Sequence, residues 1–116
     1  MSDELTTVAD LRRAMQAFVA ARDWQQFHTP KNLAMSIAIE AAELMEHFQW
    51  TDAAGAIPAA QLTAQRAEIA DEIADVCWYV LSLVDALELD LSTAMRAKLE
   101  KTERKYPADQ FRGRSQ

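Results

Sequence analysis

Helix breakers are nearly missing from this chain, and that scarcity restricts its fold more than any other feature. Two glycines and three prolines in 116 residues leave few positions suited to hairpin turns or to phosphate-cradling glycine loops. Half the residues are hydrophobic, many of them Ala, Leu, Ile and Val, and they recur with helical spacing. The reading is all-α: one domain built as a helical bundle of four main antiparallel helices. A chain of this length buries about two thirds of its unfolded surface, enough for a real core.

The helix boundaries can be read from caps. Thr7-Val8-Ala9-Asp10 resembles a capping box with Asp in place of Glu. It opens a first helix to about Arg22, with Val8, Leu11, Met15, Phe18 and Val19 inward. Thr29-Pro30 pairs an N-cap with proline at the first helical position, starting a second helix that runs to about Gln49. Trp50–Gln61, with Gly55 and Pro58, is a loop. A third helix spans Leu62 to Leu87, roughly 39 Å. Asp90 caps a fourth, Leu91 to Lys105, which Pro107 stops. Residues 1–107 form the domain, and Ala108–Gln116 is expected to be a loose polar tail.

Two acidic pairs stand out against this frame. Glu40 and Glu43 lie three residues apart on the second helix, and Glu72 and Asp75 repeat the spacing on the third. Such spacing puts both carboxylates of a pair on one helix face. The apolar stripes are Leu33, Ile37, Leu44 and Phe48 on one helix, and Ile69, Ile73, Val76, Val80 and Leu87 on the other. In each pair the acids stand one residue ahead of stripe positions, at the border of the core. A short connection makes the two helices antiparallel neighbours, so the acid faces meet. Carboxylates gathered there repel one another and lose hydration. A hard divalent cation, Mg²⁺ or alternatively Mn²⁺, relieves both costs through oxygen ligands. The bland counterpart is a set of solvated acids on amphipathic helices, which either pair alone would favour.

Charge and the remaining special residues narrow the function. Net charge is −6, divided as −10 over residues 1–95 and +4 over residues 96–116. The acidic body argues against a nucleic acid polymer as partner, because such binding needs clustered cations. Lys98, Lys101, Arg104 and Lys105 gather on the fourth helix, where they can meet small-molecule phosphates or complement helix dipoles. Trp24 and Trp50 flank the second helix and are candidates for stacking a base. Tyr79 falls one turn after Asp75, near the acids. His47 reads as a surface or hydrogen-bonding group, because the two histidines lack the spacing of a di-iron bundle. Lone Cys77 excludes an internal disulfide and reads as a small buried hydrophobe. No apolar run reaches the ~18 residues of a membrane span and no leader opens the chain, so the expectation is a soluble cytoplasmic protein. An apolar surplus beyond what four helices can hide points to self-association.

The motifs resemble a known family, the all-α (MazG-like) nucleoside triphosphate pyrophosphohydrolases, whose signature is Glu-x-x-Glu followed after a gap by Glu-x-x-Asp. Here these are Glu40–Glu43 and Glu72–Asp75. The wider stretches RDWQQFHTPKNLA, EAAELMEHFQW, DEIADVCWY and KLEKTERKYP are similar, in order, to the dCTP pyrophosphatase branch. That resemblance implies Mg²⁺-dependent cleavage between the α- and β-phosphates of a nucleotide, dCTP or a modified dCTP, with a role in cleaning the nucleotide pool. It implies metal ligation by Glu40, Glu43, Glu72 and Asp75, and a base site of Trp24, His28 and Trp50. Asn32 and Tyr79 would lie near sugar or phosphate, and Lys98, Arg104 and Tyr106 at the phosphate end. It also implies a homodimer or homotetramer. For the general base, the choice falls on Glu43 or Glu46. Two positions depart from the pattern: Thr102 stands where the family often has Asn, and Met15 where animal dCTP enzymes carry His. A non-catalytic helical module that binds nucleotide or protein is the alternative.

Overall fold

Every helix start that the sequence marks with a cap is formed by that cap. The structure is a computed structural model describing residues 2–51 and 59–114. Helix α1 spans Val8–Ala21, α2 Pro30–Glu46, α3 Ala59–Ala86, α4 Leu91–Lys105 and α5 Ala108–Phe111, with a 3₁₀ turn at Gln25–Phe27. No strand occurs among the described residues. Thr7 Oγ1 accepts from the Asp10 amide (3.0 Å) and Asp10 returns the bond to the Thr7 amide (2.9 Å), a complete capping box. Thr29 Oγ1 accepts from the Asn32 amide at 3.2 Å, with Pro30 first in α2. Asp90 accepts from the Thr93 amide at 3.0 Å.

Two helices stop where the sequence offers no glycine. Asp23 and Glu88 both adopt φ 54°, the left-handed conformation that closes a Schellman motif. Trp24 N–H reaches back to the Val19 carbonyl (3.1 Å) and Leu89 N–H to that of Val84 (2.9 Å). These bonds satisfy carbonyls that a helix end leaves unpaired. The first reversal has a structural consequence, since it turns the chain so that Trp24 meets Phe18 edge to face at 5.7 Å. Asn32 Nδ2 then donates to the Phe27 carbonyl (3.2 Å), tying the 3₁₀ turn to the start of α2.

α3 is the axis on which α1 and α2 pack. Its 28 residues reach about 42 Å, beginning three residues before the expected Leu62. Gly55 and Pro58 of the expected loop lie outside the described residues. α2 ends at Glu46 instead of Gln49, because the His47 and Phe48 amides turn back to Leu44 and Met45 in a tighter bend. Leu33, Met15, Val19, Ile69, Leu81 and Val84 make the core, with Leu33 only 1 % exposed. The stripe expected on α3 holds at Ile69 but not at Ile73 or Leu87, which are exposed. Toward its C-terminal end the covered face turns to Leu81, Ser82 and Val84, where α1 arrives. Arg12 Nε pairs with Asp85 Oδ1 at 3.0 Å, Gln16 Nε2 donates to the same oxygen at 2.6 Å, and Arg12 Nη1 caps the Leu89 carbonyl at 2.8 Å.

The four-helix bundle does not form within one chain. α4 touches the rest only sparsely and buries no residue; Met95 and Leu99 are 64 % and 58 % exposed. The radius of gyration is 17.4 Å, against about 13 Å for a compact chain of ~100 residues. The segment after Pro107 is not a loose tail throughout: Ala108–Phe111 makes a helical turn whose Phe111 ring meets Tyr106 at 5.1 Å. Cys77, expected inside, is exposed. No helix among the described residues is long and apolar enough to cross a membrane.

Leu33→Ala is expected to cost about 2–5 kcal/mol, since truncating a side chain only 1 % exposed loses its burial and leaves a cavity. Thr29→Ala, losing one cap bond, is expected to cost about 1 kcal/mol. Urea unfolding followed by circular dichroism separates the two, and equal losses would contradict a core centred on Leu33.

Candidate active site

The acid faces of α2 and α3 meet as the spacing predicts, but three of the four acids converge. Glu40, Glu43 and Glu72 each offer a carboxylate oxygen, all within 4.8 Å of one another. Glu40 Oε2 and Glu72 Oε2 are buried and have no hydrogen-bond partner. Buried acceptors in that state are rare, because each forfeits its hydration without replacement. The ion pairs formed among the described residues, Arg12–Asp85 and Arg13–Asp10, lie elsewhere.

The cluster's electrostatics follow from this crowding. Loss of hydration pushes the Glu40 carboxyl above its ordinary range, and the close approach of Glu43 and the charges of Asp75 and Glu72 push it further. Glu72 is raised for the same first reason, then by the charge of the adjacent Glu43 and by Asp75, while nearby His47 opposes the shift. A group of oxygen donors with two orphaned atoms and mutual repulsion fits a small hard dication. Asp75 stands beside the trio, close enough for its charge to be felt by both shifted acids.

Asp75 also lines a cleft of about 410 Å³ between α1, the 3₁₀ turn and α3. Trp24, His28 and Tyr79 share that lining, so one cavity gathers four residues singled out from separate parts of the sequence. Phe18, Trp78, Met15 and Ser82 complete most of its wall. Phe18 and Met15, expected inward on α1, face this cleft, and Trp78 and Ser82 join them from α3. On α3, residues 72, 75, 79 and 82 recur at three- and four-residue steps, a signal that connects Ser82 to the acids.

Other candidates stand apart. Trp50 lies beyond the end of α2 and is 88 % exposed, so it does not join Trp24 within one chain. The Asn32 side chain holds the Phe27 carbonyl. Glu46 ends α2 in an exposed position, one turn past Glu43. Lys98, Arg104 and Tyr106 are exposed on and just after α4 and form no ion pair with the acid cluster. Thr102 turns its hydroxyl back to the Lys98 carbonyl at 2.9 Å.

The shifts have a definite sign in stability. A carboxyl whose folded pKa lies above its unfolded value binds its proton more tightly when folded, so stability falls as pH rises from about 4.5 through the raised values. Asp10 and Asp90 act oppositely: their cap bonds lower the carboxyl pKa, and their contribution disappears as pH drops below 3.8. In EDTA, Glu40→Gln is therefore expected to melt higher than wild type at pH 8, and to lose the Tm gain that Mg²⁺ gives wild type. Thermal melts between pH 4.5 and 8 check this; a lower metal-free Tm for E40Q at pH 8 would contradict the strained cluster.

The chain is similar to known proteins over most of its length. A model of the MazG-like family matches residues 35–116, which include both acidic pairs. The dCTP pyrophosphatase 1 of Rattus norvegicus is 37 % identical over 107 residues, covering 92 % of this chain and 63 % of its own. The Homo sapiens dCTP pyrophosphatase 1 is 37 % identical over 109 residues, covering 94 % and 64 %. This chain thus spans just under two thirds of the length of these curated relatives. A crystal structure of a pyrophosphatase from Archaeoglobus fulgidus superposes with a TM-score of 0.78 at 40 % identity, covering 92 % of this chain and 98 % of that one. With its acid cluster set between α2 and α3 and its matched segment running from residue 35 to residue 116, the chain belongs to the MazG-like family.

Proposed function

We propose that this chain is a nucleoside triphosphate pyrophosphohydrolase, cleaving between the α- and β-phosphates to release a monophosphate and pyrophosphate. The observation that carries this reading is the orphaned acid cluster opening, through Asp75, onto an aromatic-walled cleft. That juxtaposition suits a ligand with a flat ring at one end and polyphosphate at the other. The names of the relatives lend support, and dCTP or a modified dCTP is the substrate proposed, with nucleotide-pool cleaning in the cytoplasm as the role.

Glu40, Glu43 and Glu72, with Asp75 beside them, would hold Mg²⁺ or Mn²⁺. Such an ion, when bound, supplies neutralisation of phosphate oxygens and a lowered pKa for a coordinated water. Glu43 or Glu46 accepts the proton of the attacking water. The Trp24 ring stacks on the base, His28 and Tyr79 bound the nucleoside, and Asn32 keeps the turn carrying Trp24 in place. Lys98, Arg104 and Tyr106 stabilise charge on the departing pyrophosphate. Because α4 and Trp50 project from their own chain, these groups serve a site completed by a second copy, in a homodimer or homotetramer. The exposed apolar side chains Ile39, Ile73, Met95 and Leu99 provide the surface for it.

Purified protein incubated with NTPs and dNTPs plus Mg²⁺ is expected to release pyrophosphate and the monophosphate, with dCTP or a modified dCTP preferred. Orthophosphate release would overturn the bond assignment, and nucleotide binding without turnover would leave the non-catalytic module. Glu43→Gln is expected to lower kcat at least ~100-fold with unchanged helical circular dichroism. Trp24→Ala is expected to raise KM about tenfold with little change in kcat; an unaltered KM would remove Trp24 from the base site.

A further inference from the structure

Helix α1 sits on α3 by a narrow apolar seat. Of its residues Met15 and Val19 are buried, and it packs on α3 less extensively than α2 does. Three cavities border it. One is the cleft of about 410 Å³ that Asp75 lines. Another, of about 440 Å³, is lined by Gln16, Ala20 and Asp85. The third, of about 230 Å³, adjoins its first turn at Val8 and Arg12. Protein interiors are ordinarily close-packed. A helix with open space on several sides can rock on two buried side chains unless something else fixes it.

Asp85 is that fixture. Its Oδ1 accepts from Arg12 Nε at 3.0 Å and from Gln16 Nε2 at 2.6 Å, while Arg12 Nη1 donates to the Leu89 carbonyl at 2.8 Å. Arg12 and Gln16 stand one turn apart on one face of α1, so their two bonds to a single oxygen oppose both sliding and rotation. The rigid guanidinium fork adds direction, joining α3 to the residue just past its left-handed stop at Glu88. The Arg12 and Asp85 side chains are 25 % and 35 % exposed, so water and salt weaken the pair less than a fully exposed one. In the last turn of α3 the helix dipole disfavours a lone carboxylate, and Arg12 offsets that cost.

This brace governs the other end of α1. Phe18 and Val19 wall the cleft. The Trp24 ring meets Phe18 edge to face at 5.7 Å, and the Trp24 amide donates to the Val19 carbonyl at 3.1 Å. Trp24 is therefore fastened to α1, and a tilt of α1 carries the ring with it. The Asn32 tie acts three residues further on, at Phe27.

Resting on the nucleotide reading of the cleft, we infer that Arg12, Gln16 and Asp85 are positioning residues for substrate binding. They act through α1, holding the Trp24 ring where the base stacks. Loss of the brace weakens the grip on the base and leaves phosphate cleavage at the acid cluster unaffected.

The test is steady-state hydrolysis of dCTP with Mg²⁺ by the full chain, comparing wild type, Asp85→Ala, Trp24→Ala and the double variant. Asp85→Ala is expected to raise KM about fivefold through weaker stacking, with kcat within about twofold of wild type and an unchanged half-saturating Mg²⁺ concentration. In the Trp24→Ala background the same change is expected to move KM less than about twofold, since the two act as one unit. Thr7→Ala, which removes the cap of α1 and spares the brace, is expected to keep the wild-type KM. Where circular dichroism shows Asp85→Ala unfolded, Asp85→Asn, which keeps an oxygen acceptor and loses the charge, takes its place in the same cycle. An unchanged KM for the Asp85 variant, a fall in kcat in place of a rise in KM, an equal rise with and without Trp24, or an equal rise in Thr7→Ala overturns the positioning role and leaves the pyrophosphohydrolase reading intact. No hydrolysis of any nucleotide by wild type overturns that reading, and the positioning role with it.

Discussion

The crowding of Glu40, Glu43 and Glu72 at the contact of α2 with α3 is the constraint around which the molecule is arranged. Two antiparallel helices could have met through alanines and leucines alone. Instead the contact carries carboxylate oxygens within 4.8 Å of one another, two of them buried without partners. Dehydration and like charge both favour the protonated forms, so at neutral pH the cluster works against the stability of the fold. The hydrophobic burial of Leu33 and Ile69 on the same pair of helices offsets the penalty.

The aromatic cleft depends on a different local device. α1 stops at an Asp23 with positive φ, and the reversal places Trp24 edge-on to Phe18 at the mouth of the cleft. Asn32 then fastens the 3₁₀ turn through the Phe27 carbonyl. Arg12 and Gln16, both bound to Asp85, hold α1 against α3 from the opposite end. The cleft is thus fixed at two ends by polar contacts while its middle is lined by adaptable side chains.

α4 sets the limit of what one chain accomplishes. It carries much of the basic C-terminal region, yet Met95 and Leu99 face outward and the helix touches its own core only sparsely. Local caps fold the helix without burying any of its side chains.

Helix identity, the capped starts at Thr7, Thr29 and Asp90, and the two acidic pairs were legible in the chain itself, because capping and i, i+3 spacing act within a few residues. The same reasoning carried the family resemblance, since the motif is a local pattern. Which acids converge, which face of α3 is covered, and where Trp50 and α4 end up were not legible. Those outcomes depend on where α1 and α2 settle along a helix about 42 Å long. Ile73 and Leu81 sit on α3 with equal helical credentials, yet Ile73 is exposed and Leu81 buried. Met15 and Ser82, 67 positions apart in the chain, line one cleft, a meeting created by tertiary packing alone.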